Sequence, residues 1–268
     1  MADSAHAAAG PAVLLDIADR VAEIRFNRPA RLNAIDIETA EGFAAAVDRA
    51  LADDDVAVIV VSAEGRAFVA GGDLAHLRAA TDRAGALHEL IDPMHVALKA
   101  LAASPKITLG SLKGAVAGGG MSLALSLDLV IAAESTTFNF AYARVAASAD
   151  CGGSWALPRL VGLRRALEIA LLSEPVDAAN AHRLGLVNRV VADDRLTEET
   201  RAMAERLASG AGFALGEIKA LMRTSGERAF DAQLDAEAAS FARCTATQDF
   251  GEALDAFFGR RAPQFSGR

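Results

Sequence analysis

Apolar positions along the chain form short β-branched runs that alternate with longer segments of helical period. The runs at 13–17 and 21–26, on either side of Ala18-Asp19-Arg20, predict a β-hairpin. Continuous apolar runs at 56–62 and 129–133 are typical of strands covered on both faces. Further strands are predicted at 107–116, 137–140 and 186–191. Helices are predicted at 36–48, at 74–103 with an interruption near Pro93, at 163–172 and at 178–184. Two further helices are predicted to begin at residue 121 and near residue 154.

From residue 196 onward the pattern is helical only, with helices predicted at 196–209, 212–225, 229–246 and 248–258. The alternation before that point predicts an α/β fold with a parallel sheet. We therefore divide the chain into a disordered start at 1–12, an α/β core at 13–195 and a helical region at 196–268. The start is Ala-rich but has neither the basic segment nor the long apolar core of a signal peptide.

Composition narrows the class of protein. The chain has 268 residues, 52% of them hydrophobic, and a formal charge of −8, which argues against a protein that coats nucleic acid. No apolar run approaches the roughly 20 residues of a membrane span. The two cysteines make a disulfide framework unexpected, so a reducing cytoplasm fits. The five histidines show no metal-ligand spacing, and we expect neither a metal nor a separate cofactor.

Two glycine-bearing segments carry the candidate chemistry, RAFVAGGD at 66–73 and GAVAGGGMS at 114–122. Each follows a strand-like run and precedes a helix-like run, which leaves free backbone N–H groups at a helix start. Two such turns facing one another could hold the developing oxyanion of a thioester that becomes an enolate. The alternative interpretation is structural: a tight turn with positive φ at Gly72, and close helix–strand packing at Gly118–Gly120.

These motifs, in this order, resemble the enoyl-CoA hydratase/isomerase (crotonase) superfamily over residues 13 to 265. The matching segments are IRFNRP at 24–29 with LNA at 32–34, AFVAGGDL at 67–74, AVAGGGMSLALSLDLVIAAE at 115–134, LPRLVGLRRALEIALLSEPVDAANAHRLGLVNRVV at 157–191 and the tail at 256–265. The resemblance implies a spiral of β-β-α turns, a C-terminal all-helical trimerisation region, and a homotrimer or dimer of trimers. It also implies an acyl-CoA thioester substrate, of which coenzyme A is part. By motif, the oxyanion donors are the backbone N–H groups of Gly72 and Gly119.

The chain departs from the hydratases of this family at both of their catalytic carboxylates. Ser122 and Tyr142 occupy the positions where hydratases carry two glutamates. Neither side chain is a carboxylate, so hydration of an enoyl thioester is not expected as the main reaction.

Asp150 is the remaining carboxylate that a motif brings near the two glycines. Its segment, DCGGSWALPR at 150–159, is similar to that of isomerase-type members, closest to the ring-1,2-epoxyphenylacetyl-CoA isomerases and Δ3,Δ2-enoyl-CoA isomerases, in which one aspartate moves a proton. The plainer interpretations are a cap for the helix near Ser154 or a solvent-facing loop residue. Tyr142 could orient Asp150 through its hydroxyl or serve as a pocket wall.

The resemblance implies further contacts to the substrate. The acyl pocket is expected to include Phe68, Ala70, Ser122 and Tyr142. The coenzyme end is expected to meet Arg28, Arg66, Ala67, Asp73 and Leu74, and we also consider an approach of Lys219, Phe257 and Phe258 from the helical region. Trp155 is expected in the core, and Cys151 as a small apolar filler.

Three functions remain open at this point. The first is an acyl-CoA isomerase that uses Asp150 as acid and base. The second is another enzyme of the superfamily, with hydratase-like activity or with Asp150 as a nucleophile, as in a dehalogenase or a thioesterase. The dehalogenases of the superfamily pair that aspartate with a tryptophan, where this chain has Tyr142, and with a histidine. The third is a non-catalytic acyl-CoA-binding paralogue.

Overall fold

The computed structural model describes residues 10–267, so residues 1–9 of the predicted disordered start lie outside the described residues. Pro11 and Ala12, at the end of that segment, are instead held in place. The backbone N–H of Asn27 donates to the carbonyl of Ala12 at 2.8 Å, and its side-chain amide donates to Pro11 at 3.1 Å. The predicted disorder is therefore wrong for Pro11 and Ala12.

Nine strands form two sheets within residues 10–267. In chain order they are β1 (Val13–Ala18), β2 (Val21–Phe26), β3 (Val58–Ala63), β4 (Ile107–Leu112), β5 (Ala115–Ala117), β6 (Leu129–Ala133), β7 (Thr137–Asn139), β8 (Val176–Asp177) and β9 (Arg189–Val191). The larger sheet has the order β1-β2-β3-β4-β6-β9 and is parallel except for the β1–β2 hairpin. The smaller sheet has the order β5-β7-β8.

Eleven α-helices accompany these strands in the described part of the chain. They are α1 (Ile37–Ala52), α2 (Leu74–Ala79), α3 (Arg83–Ala103), α4 (Gly119–Ser126), α5 (Gly153–Val161), α6 (Leu163–Leu172), α7 (Ala178–Leu184), α8 (Leu196–Ala208), α9 (Gly212–Thr224), α10 (Phe230–Thr245) and α11 (Gln248–Gly259). None of these helices is long and apolar enough to cross a membrane. The α/β class and the helical C-terminal region are as the sequence predicts.

The larger sheet is covered on both faces, which explains the continuous apolar runs. On β3, Ile59 and Val61 join the main core with α1, α3 and α4, whereas Val58 and Val60 join a smaller core with α8. Every residue of β3 is buried. A strand in this position has no polar face, so its sequence does not alternate.

Two predicted elements are divided in the structure. The helix predicted at 74–103 is broken between α2 and α3, where Asp82 caps α3 by accepting from Ala84 and Gly85 at 3.1 Å. The predicted interruption near Pro93 is wrong, since Pro93 lies inside α3. The strand predicted at 107–116 is divided by Gly114, whose φ of +58° turns the chain from β4 into β5.

A buried charged cluster joins the helical region to the sheet. Asp128, just before β6, accepts from Thr108 on β4 and pairs with Lys219 at 3.0 Å and with Arg223 at 2.6 Å, both on α9. The Lys219 ammonium also donates to the carbonyls of Leu101 and Lys106. Opposite charge and hydrogen bonds offset part of the cost of burying this lysine, and burial still lowers the pKa of its ammonium group.

Candidate active site

The two glycine-bearing segments lie side by side, as the oxyanion hypothesis requires. Phe68 N–H donates to Lys113 O at 2.8 Å, and Ala117 N–H donates to Val69 O at 2.9 Å. Val69 and Val116 form a parallel bridge between the segments. The hydrogen bonds bring the two turns that follow, Gly71–Asp73 (the first turn) and Gly118–Gly120 (the second turn), next to each other.

The first turn presents the N–H of Gly72. Ile35 N–H donates to Gly71 O at 2.9 Å and Asp73 N–H donates to Ile35 O at 2.7 Å, so the residues on either side of Gly72 are fixed. The Gly72 N–H has no acceptor among the described residues. The positive φ belongs to Gly71, at +108°, and not to Gly72, so the tight-turn interpretation was placed one residue too late.

The second turn presents the N–H of Gly119, the first residue of α4. Gly118 has a φ of +50° and donates its own N–H to Asn139 O at 3.0 Å. Within residues 10–267 the Gly119 N–H has no acceptor. Because it lies at a helix N-terminus, the helix dipole adds partial positive charge to this donor.

Asp150 faces the second turn. Its Oδ1 lies 3.5 Å from the position that a Cβ on Gly119 would occupy. The helix-cap interpretation is not supported, since the cap of α5 is Gly152 and the N–H of Gly153 donates to the backbone carbonyl of Asp150. The Asp150 carboxylate instead accepts a hydrogen bond from the Tyr142 hydroxyl.

Ser122 and Tyr142 form a buried pair of hydroxyls behind this carboxylate. Ser122 Oγ lies 2.9 Å from Tyr142 Oη. Because the Tyr142 proton is used toward Asp150, the Ser122 hydroxyl is the donor within the pair. Gly153 allows this arrangement, since a Cβ there would lie 2.2 Å from Ser122 Oγ.

Burial keeps the neighbouring hydroxyl and thiol protonated. Burial, followed by the charge of Asp150 and the hydrogen bond to it, raises the pKa of Tyr142 well above its usual range. The same causes raise the pKa of the buried Cys151 thiol. Since thiolate is the reactive form of cysteine, Cys151 is not poised as a nucleophile, in agreement with its expected role as a filler.

His95 is a residue of the site that sequence reasoning missed. It lies on α3, 56 residues before Cys151, and its Nε2 lies 3.2 Å from the backbone N of Cys151. The sequence contains no motif around His95 that could have indicated this contact. It arises because α3 packs beside the segment that carries Asp150.

Of the two arginines expected at the coenzyme end, the structure leaves one exposed. The Arg28 guanidinium donates to Ala34 O at 2.6 Å, pairs with Asp36 at 2.7 Å and lies 3.9 Å from Asp73. Arg66 is exposed. The Arg28 guanidinium is therefore engaged in contacts that stabilise the chain around the first turn, whereas the Arg66 side chain is accessible to solvent.

The other residues expected to contact the substrate also differ in how deeply they are buried. Leu74 is half exposed at the start of α2, Ala70 is half-buried, and Asp73 caps α2 by accepting from Ala75 at 3.1 Å. Phe68 is fully buried and packs edge-to-face on Phe26, so its place is the core and not the pocket wall. Ala67 is buried too, and its carbonyl accepts from Asn33 at 2.9 Å.

Outside the two turns, the structure places Lys219, Trp155 and the phenylalanine pair of α11 in different surroundings. Lys219 is committed to the buried cluster with Asp128, so it does not reach toward a ligand. Trp155 is 44% exposed, not core, and carries the Arg159 guanidinium 4.0 Å from its ring centroid. Phe257 and Phe258 are exposed on α11, as an approach to another molecule requires.

Comparisons with known proteins identify the family of this chain. The enoyl-CoA hydratase/isomerase family model matches residues 16–268. The chain is 33% identical to 1,2-epoxyphenylacetyl-CoA isomerase of Escherichia coli K12, over 96% of this chain and 98% of that protein. It is 30% identical to crotonyl-CoA hydratase of Syntrophomonas wolfei, over 94% and 97%. A crystal structure of an enoyl-CoA hydratase from Polaromonas sp. JS666 superposes with a TM-score of 0.89 and 31% identity, covering 94% of this chain and 99% of that one.

The chain therefore belongs to the enoyl-CoA hydratase/isomerase family and has the crotonase fold. The family is enzymatic, and the names of these relatives include both an isomerase and hydratases.

Proposed function

We propose that this protein is an acyl-CoA isomerase that moves a double bond, or rearranges a ring thioester, through an enolate. The observation that carries the proposal is the carboxylate of Asp150 beside Gly119, with hydroxyls at Ser122 and Tyr142. A site with one carboxylate can move a proton between two carbons of the substrate. It lacks the second carboxylate with which the family's hydratases activate water.

The proposed reaction begins at the thioester oxygen, which accepts hydrogen bonds from the N–H groups of Gly72 and Gly119. As the enolate forms, negative charge develops on that oxygen, and one such donor is worth about 3 kcal/mol in the transition state. Asp150 takes a proton from the α carbon and returns it to the γ carbon, so the double bond shifts and no atom is gained or lost. An aspartate general base facing an oxyanion hole follows the logic of ketosteroid isomerase, which has an unrelated fold.

The proposed substrate is an acyl-CoA thioester, with Arg66 as the accessible cation for its phosphates. An aromatic-ring acyl group is one candidate, because one relative is a 1,2-epoxyphenylacetyl-CoA isomerase. We also propose that the protein assembles as a homotrimer or dimer of trimers. Large apolar side chains on α10 and α11 support this, since they lie at the surface of the single chain: Phe230, Phe241, Phe257 and Phe258.

Proton exchange in deuterated water tests the proposed function. We expect the wild-type protein to isomerise a 3-enoyl-CoA and to exchange its α or γ protons, while crotonyl-CoA is hydrated very slowly. Asp150→Asn keeps the size of the side chain and removes the base, so exchange falls about 10²- to 10⁴-fold. Thioester affinity, measured by calorimetry, stays nearly unchanged in this variant.

Other products would contradict the proposal in distinguishable ways. Hydration of crotonyl-CoA above about 10 per second, an ordinary enzyme turnover, would identify a hydratase. Release of free coenzyme A from these thioesters, or of halide from a halogenated acyl-CoA, would identify a nucleophilic Asp150. Tight binding without any change in the thioester would identify a non-catalytic paralogue.

A further inference from the structure

The turn after Asp150 has a conformation that side chains rarely adopt. Cys151 and Gly152 both have positive φ, at +48° and +78°. For a residue other than glycine, this left-handed conformation is disfavoured by contact between Cβ and the backbone. The direction in which Asp150 points depends on this turn, so something must hold Cys151 in place.

His95 supplies the hydrogen bond that holds it. Cys151 is buried, and its N–H donates to His95 Nε2 at 3.2 Å. Without that acceptor, a backbone donor would be left buried and unpaired, which folded proteins rarely tolerate. Since Nε2 accepts, the imidazole is neutral and carries its proton on Nδ1.

Helix α3 contacts both halves of the site. Leu90, five residues before His95, places its Cδ2 3.5 Å from the position that a Cβ on Gly72 would occupy. Between them, Met94 is buried in the main core. One helix anchored in the core therefore contacts the first turn through Leu90 and the Asp150 segment through His95.

We infer that His95 is a positioning residue for the reaction, which acts through the backbone N–H of Cys151 to keep Asp150 facing Gly119. The inference rests on the proposed role of Asp150 as the base. His95 makes its contact with the backbone of the base segment, so its contribution is to geometry. A displacement of about 1 Å in a reacting group can lower a rate by about 10²-fold.

Two substitutions separate positioning from chemistry. His95→Leu removes the acceptor, and His95→Gln retains an acceptor at a comparable reach. His88→Leu is the matched control, because His88 lies on the same helix with an exposed side chain. Each variant is assayed for kcat and KM of proton exchange on a 3-enoyl-CoA, and for amide hydrogen exchange of the peptide covering residues 146–153 by mass spectrometry.

We expect His95→Leu to lower kcat about 10- to 100-fold with little change in KM, as for a lost alignment of the base. Its 146–153 peptide should exchange faster, while His95→Gln recovers most of kcat and the slow exchange. The His88→Leu control should match the wild type in both measurements.

Two results would overturn the inference. If His95→Gln is as inactive as His95→Leu while the peptide stays protected, the imidazole itself takes part in the chemistry. If His95→Leu changes neither kcat nor amide exchange, the hydrogen bond does not position the segment. A wild-type protein that binds the thioester without proton exchange contradicts the proposed function instead, and amide exchange still decides whether His95 holds the turn.

Discussion

The two turns that present Gly72 and Gly119 share a sequence signature but differ in how tightly they are packed. In the first turn, Gly71 has the positive φ, and a Cβ on Gly72 would meet only Leu90 Cδ2 at 3.5 Å, an ordinary contact distance. In the second turn, a Cβ on Gly120 would lie 2.1 Å from Val69 O. Both turns contain a glycine with positive φ, Gly71 in the first and Gly118 in the second, but the second turn alone is also sterically closed, at Gly120.

The two turns also differ in how deeply they are buried. Gly72 is exposed at the start of a six-residue helix, whereas Gly119 is buried and begins an eight-residue helix beside Asp150. The proposed acid–base group, Asp150, thus lies beside the closed second turn, where packing fixes its position. In the open turn, Gly72, the other proposed donor, lies at the surface. Catalytic geometry is held best by residues whose positions are locked by packing.

The largest expected loss of stability comes from a substitution in the closed second turn. Gly120→Ala places a methyl group 2.1 Å from Val69 O and 2.7 Å from Val69 Cβ, so the two glycine segments must separate. We expect the free energy of unfolding to fall by about 3 kcal/mol, the upper end of the usual cost of an overpacked core. Urea unfolding followed by the fluorescence of Trp155, the single tryptophan, measures it. An unchanged midpoint would mean that the segments can move apart freely.

A titration of Tyr142 measures how closed the second turn's surroundings are. This residue is the only tyrosine of the chain, so tyrosinate absorbance reports on it alone. Burial, and then the charge and hydrogen bond of Asp150, raise the pKa of Tyr142 in the folded state, whereas an unfolded tyrosine titrates near pH 10. The folded state therefore binds this proton more tightly, and its contribution to stability, complete below about pH 10, is lost as pH rises further.

We expect no tyrosinate signal from the folded protein near pH 10, and a normal titration in urea. Asp150→Asn removes the neighbouring charge, so the signal should appear at lower pH than in the wild type. Titration of the native protein near pH 10 would show that water reaches the Tyr142 hydroxyl.

The smallest change in stability is expected from a substitution in the open first turn. Gly72→Ala keeps the backbone N–H and introduces a methyl group where there is room, at a position without positive φ. The free energy of unfolding should change by less than about 1 kcal/mol, since a compatible Gly→Ala change also restricts the unfolded chain. Urea unfolding beside Gly120→Ala tests this difference directly, and comparable losses in the two variants would remove the contrast between the turns.

Much of the fold is readable from the sequence because burial on both faces leaves a continuous apolar run, as in β3. The two glycine turns are readable because each lies between such a run and a helix. The break between α2 and α3 is not at the predicted place, because α2 ends at Ala79 and Asp82 starts α3 by a local cap, whereas Pro93 is tolerated inside a helix held by core packing.

The site itself was predicted in part. Asp150, Gly72 and Gly119 come from motifs, and the hydrogen bond from Tyr142 to Asp150 is one of the two roles that the sequence leaves open for this tyrosine. His95 could not be found, because its contact with Cys151 spans 56 residues and depends on how α3 packs. Phe68, expected in the acyl pocket, is fully buried, and Trp155, expected in the core, is exposed, because only the tertiary structure decides which ring is covered.

The cluster around Asp128 has a consequence for cooperativity. Lys219 and Arg223 belong to the helical region, but their partners Asp128, Leu101 and Lys106 belong to the α/β core. Peeling α9 away would leave one carboxylate and three carbonyls, those of Leu101, Lys106 and Ser126, without these donors in a region that water reaches poorly. Unpaired buried charges are among the costliest defects in a protein. We therefore expect α9 and the α/β core to unfold together, although residue 196 separates two patterns in the sequence.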